Sequence, residues 1–82
     1  MERYNEVEAF IRSYLAPRFA RGGISDPADD LSLIDSGIID SFGLLELLSA
    51  AEAKFSVKVD LEEVDMDVVT TYGGFIRAIA GA

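Results

Sequence analysis

Asp40-Ser41-Phe42-Gly43-Leu44-Leu45-Glu46-Leu47-Leu48-Ser49-Ala50-Ala51-Glu52-Ala53-Lys54-Phe55 decides the fold. Leu, Ala and Glu dominate it, and all three are good helix formers. Asp40 has the carboxylate of an N-cap, able to accept a backbone N–H two or three residues on. Leu44, Leu47, Leu48, Ala51 and Phe55 recur at helical spacing and make an inward face. The opposite stripe runs Phe42, Leu45, Ser49, Glu52. Two large apolar residues on an outward stripe are not needed for a core, and beside acids they suggest a docking face.

Upstream, Val7, Phe10, Ile11, Tyr14 and Leu15 fall at i, i+3, i+4, i+7 and i+8, the signature of a one-sided helix. Pro17 and then Gly22-Gly23 are expected to end it. From about 18 to 40 the signals are those of a loop, with Leu31, Leu33, Ile34, Ile38 and Ile39 pinning it across the core. Downstream, Val57-Lys58-Val59 reads as a short extended link. Asp60-Leu61-Glu62-Glu63 has capping-box spacing and is expected to open a brief helix. Thr70-Thr71 offers another N-cap, and Tyr72, Phe75, Ile76 and Ile79 give the last helix its apolar face. Gly73 and Gly74 weaken that helix, and close packing against a neighbouring helix would account for them. The expected architecture is all-α: a small four-helix bundle of three longer helices and one short one, with a long first loop.

With 82 residues, half of them hydrophobic, the chain suits one domain, residues 1–82, near the lower size limit for an unaided core. Its formal net charge of −8 disfavours nucleic acid and anionic membrane, and favours partners with basic surfaces. Without Cys or His there are no disulfides, thiolates or usual zinc ligands, and Ser-His-Asp chemistry is excluded. The acids between Asp60 and Asp67 lack the alternating ligands and central Gly of a calcium loop, so no metal site is expected. The polar start Met1-Glu2-Arg3-Tyr4-Asn5-Glu6 precedes no long apolar run. A cytoplasmic monomer with no membrane span is the expectation, and a carrier or binding protein rather than an enzyme.

Within Leu33-Ile34-Asp35-Ser36-Gly37-Ile38-Ile39-Asp40-Ser41-Phe42-Gly43-Leu44-Leu45-Glu46-Leu47-Leu48, Asp40-Ser41, a large apolar residue next, and Glu46 five positions on resemble the modification site of acyl carrier proteins. The likeness covers nearly the whole chain, including the helix order and long first loop. It implies that a separate phosphopantetheinyl transferase moves 4′-phosphopantetheine from coenzyme A onto Ser41. The arm then holds an acyl or aminoacyl cargo as a thioester. Asp40 caps the helix, orients Ser41 or meets a basic group of the transferase. Ser36 also follows an Asp, but Gly37 comes next, so it reads as a turn residue. Glu46 and Glu52 match acids that carriers present to basic partners, such as a cargo-loading ligase or an acyl or aminoacyl transferase; a solvated helix face is the plainer reading. Phe42 and Leu45 flank the arm, meet the partner, or pack a loop.

Gly43 stands where the fatty-acid type has an acid, and the Gly-Gly of peptide-synthetase carriers before the Asp is missing. The run from Ser36 to Ser41 is more similar to free-standing carriers, including D-alanyl carriers, which leans the cargo toward an aminoacyl or other small polar group. The alternative function is an acidic helical adaptor that keeps the fold and acts by protein contacts without the arm.

Overall fold

A computed structural model describes residues 2–82; Met1, which opens the polar start, lies outside the described residues. The elements are α1 (Glu2–Arg21), α2 (Ser41–Phe55), α3 (Met66–Val69) and α4 (Tyr72–Ala80). α1 packs against α2 and α4, and the four-residue α3 against α4. Among the described residues there is no strand, and a single antiparallel bridge joins Ser32 to Thr71. The all-α bundle of three longer helices and one short one is thus the fold observed.

α1 runs past Pro17, the first of its expected stops, and ends at the second, Gly22-Gly23. Pro17 lies inside it, where the missing N–H costs one helical hydrogen bond. The helix continues because Phe19, one turn after Leu15 on the stripe Val7-Ile11-Leu15, is buried with the core. Its ring meets Tyr72 edge-on at 5.9 Å between centroids. The real stop is Gly23, at φ +72. Ile24 N–H bonds to Phe19 C=O at 2.9 Å and Gly23 N–H to Ala20 C=O at 3.2 Å, a Schellman closure. The first loop therefore begins at Gly22, and not near 18.

That loop is fastened at several points. The Arg12 guanidinium donates to Ser25 C=O at 3.2 Å and to Asp26 at 3.1 Å. Asp29 pairs with Arg77 of α4 at 3.0 Å, and Gly73 N–H reaches Asp29 C=O at 2.8 Å. Leu33 N–H bonds to Thr70 C=O and Tyr72 N–H to Leu31 C=O, both at 2.9 Å. Leu33, Ile38 and Ile39 then enter the core beside Leu47, Phe75 and Ile76.

The short helix is displaced from its expected start. Asp60 supports only a turn, accepting Glu62 N–H at 3.0 Å. Asp65 caps α3 instead, accepting Asp67 N–H at 2.9 Å. Val64 and Leu61 between them pack on the core, which draws the chain inward before α3 can begin. Thr71 caps α4 as expected, its hydroxyl accepting Gly74 N–H at 3.1 Å. The neighbours that require Gly73 and Gly74 are the Asp29 carboxylate and the Val68 carbonyl, so Gly73 packs on the loop and not on a helix. The Tyr72 hydroxyl donates to Glu8 at 3.3 Å. Burial first, then the Glu8 charge, push its pKa up to about 12.

Candidate functional site

The site is built on the junction of the first loop with α2. Ile38 and Ile39 are buried just before it, and Ile39 N–H bonds back to Leu33 C=O at 3.0 Å. The chain therefore reaches Asp40 already held. Asp40 has extended backbone, φ −92 and ψ 176, and its carboxylate accepts Gly43 N–H at 2.7 Å. The capping expected of Asp40 is thus present. Ser41 follows as the first residue of α2, with its side chain in solvent. No hydrogen bond among the described residues engages its hydroxyl.

Gly43 explains why this position is not an acid. It is buried, and a Cβ built there would stand 2.7 Å from Ile39 Cγ1 and 3.1 Å from the Asp40 carboxylate. Any side chain would push apart the cap and the buried isoleucine that hold Ser41. Ser36 is exposed too, but its hydroxyl oxygen accepts Ile38 N–H at 3.4 Å within the turn that precedes the helix.

Beyond Ser41 the outward stripe divides. Phe42 is 71% exposed and Leu45 52%, against 8% for Leu48. Phe42, Leu45, Glu46 and Ser49 line an open groove, with Tyr14 of α1 forming its other wall. Glu52 does not join them. It is half-buried, and its carboxylate accepts the N–H of buried Val59 at 2.8 Å, tying the link after α2 back to the helix. Glu52, expected to meet a partner, thus also acts as a structural acceptor, because the link must satisfy that buried N–H. Tyr14, assigned from its spacing to the core stripe, is only half-buried. Its phenol supplies the polar tip that lets an aromatic sit at such an edge.

The arrangement fits a phosphodiester on Ser41. The hydroxyl is free and exposed, and the first turn of a helix offers N–H groups and a positive dipole end to an anion. Asp40 Oδ1 accepts Gly43 N–H, which fixes the cap beside that hydroxyl. The acids at 60 and 65 hold turn N–H groups, and among the described residues no three acids converge on one point.

Comparison with known proteins agrees with this geometry. The chain is similar to the D-alanyl carrier protein of Bacillus subtilis (strain 168), 35% identical over 51 residues, which is 62% of this chain and 65% of the relative. It is 38% identical over 50 residues to the D-alanyl carrier protein of Bacillus licheniformis, covering 61% of this chain and 64% of the relative. It thus spans slightly less than two thirds of these curated relatives. No solved structure matches it significantly. The family described as "Phosphopantetheine attachment site" matches residues 11–79, from the middle of α1 almost to the end of α4. With that match enclosing the exposed serine and the bundle beneath it, the chain belongs to the phosphopantetheine attachment family.

Proposed function

We propose that this protein is an aminoacyl or small-acyl carrier, residues 1–82 acting as one cytoplasmic, monomeric carrier domain, with 4′-phosphopantetheine esterified to Ser41. The observation that carries this reading is the free, exposed hydroxyl of Ser41 at the start of α2, directly after the anchored Ile38-Ile39 and the capping Asp40. In attachment, Ser41 Oγ bonds to the phosphorus of coenzyme A that bears the pantetheine. The bond from that phosphorus to the nucleotide breaks, and adenosine 3′,5′-bisphosphate leaves. The serine proton passes to a base of the transferase. The bound arm supplies the thiol that this Cys-free chain lacks.

The Asp40 cap supports its role in orienting Ser41, and the exposure of Glu46 on α2 supports contact with a partner of basic surface. The cargo reading leans on the resemblance to D-alanyl carriers and on Gly43, which stands where the fatty-acid type has an acid. Intact mass of the protein purified from its own host tests it. The expected spectrum holds a species carrying the arm plus a small load that neutral hydroxylamine removes. A long fatty acyl load would reject the cargo class, and a chain without any arm would reject the carrier reading in favour of an adaptor.

A further inference from the structure

We propose that the arm, once attached, lies along the groove between α1 and α2 formed by Tyr14, Phe42, Leu45, Glu46 and Ser49, a placement that rests on the attachment at Ser41 proposed above. The groove begins where the arm begins. Phe42 directly follows Ser41, and a helical rise of about 1.5 Å per residue puts Ser49 only about 12 Å farther along α2. The arm, with two amide-linked segments beyond its phosphate, is long enough to cover that distance.

The lining matches it in order and in kind. The phosphate stays at the positive end of α2. The geminal methyl groups that follow it meet Phe42 and Leu45, the apolar residues on this helix most open to solvent. Farther on, the amide N–H groups meet acceptors in the Glu46 carboxylate and the Ser49 hydroxyl, with Tyr14 closing the opposite wall. Beyond its phosphate the arm is uncharged, so the acidic rim does not repel it. Met66 and Val68, the other large exposed apolar residues among the described residues, sit on α3, which does not pack against α2. A tethered group needs little intrinsic affinity, because its effective concentration at a neighbouring site is of millimolar order.

The test compares the apo protein with the same protein loaded from coenzyme A, both ¹⁵N-labelled, by amide chemical shifts and by the rate at which the arm's thiol reacts with a bulky disulfide reagent. Shifts at Tyr14, Leu45, Glu46 and Ser49 are expected in addition to those at residues 40–43. Leu45→Ser should abolish the distant shifts and raise the thiol rate roughly threefold, as the covered population falls. Shifts confined to residues 40–43, with thiol rates equal in the two proteins, overturn the placement. So do shifts at Met66 and Val68, or shifts at Tyr14 and Ser49 that appear only when the transferase is added, which would give the groove to a protein partner. Failure of the arm to attach removes the attachment reading itself, whereas an attached arm without the distant shifts removes this placement alone.

Discussion

Asp40 has a structural role that experiment can separate from the recognition role expected of it. Its carboxylate caps α2 through Gly43 N–H. Asp40→Ala should lower stability by about 1 kcal/mol in urea unfolding, the usual cost of a lost cap, while Asp40→Asn should stay close to the parent because Asn caps as well. Loading by the transferase then isolates the charge: a deficit in Asp40→Asn is recognition and not folding. Tyr72 gives a second test at this scale. Its folded pKa is raised from 10 to about 12, so the folded state holds the phenol proton more tightly than the unfolded chain does. The stability this contributes is complete below pH 10 and is lost as pH rises toward 12. Tyr72→Phe should lack that part of the alkaline loss, and superimposable stability profiles for the two proteins between pH 9 and 12 would contradict the burial of the phenol. Asp40 was legible in the sequence because capping is local. The Tyr72–Glu8 pair was not, since the two residues are brought together only by the packing of α4 on α1.

At the scale of elements, α2 divides its two faces by spacing alone. Leu48 is in the core and Leu45 in solvent. Leu48→Ala should cost about 2–5 kcal/mol, the range for buried leucine. Leu45→Ala should cost much less and impair transfer to or from the partner instead. A more destabilising Leu45→Ala with normal loading would mean a rotated helix. The two glutamates should also part company. Glu52→Ala strands the buried Val59 N–H and should cost about 1–3 kcal/mol, whereas Glu46→Ala should change stability by no more than about 0.5 kcal/mol. Equal small effects on urea midpoints would remove the Glu52 strap. Helices α2 and α4 were legible because periodicity and caps agreed in each. The passage of α1 through Pro17 and the start of α3 were not. Pro17 and Asp60 carry strong local signals, and both were overridden by burial elsewhere: Phe19 on Tyr72 in one case, Leu61 and Val64 on the core in the other.

The whole molecule is an acidic bundle that holds one loop–helix junction still. The loop is bonded to both α1 and α4, and its last buried residues, Ile38 and Ile39, sit against Ser41's own helix. That anchoring suits the presentation of Ser41 proposed above, and the net charge of −8 suits encounter with a basic partner. The place of Ser41 at the exposed start of α2 was legible because the cap and the helical spacing around it are local. The groove beside it was not, because Tyr14 lies on another helix and its spacing is equally that of a core residue. The central claim, attachment at Ser41, is tested most directly by intact mass after incubation with coenzyme A, magnesium and a broad-specificity transferase. The parent and Ser36→Ala should each gain one phosphopantetheine, and Ser41→Ala should gain none; a Ser41→Ala protein modified at the parent's rate would contradict the assignment.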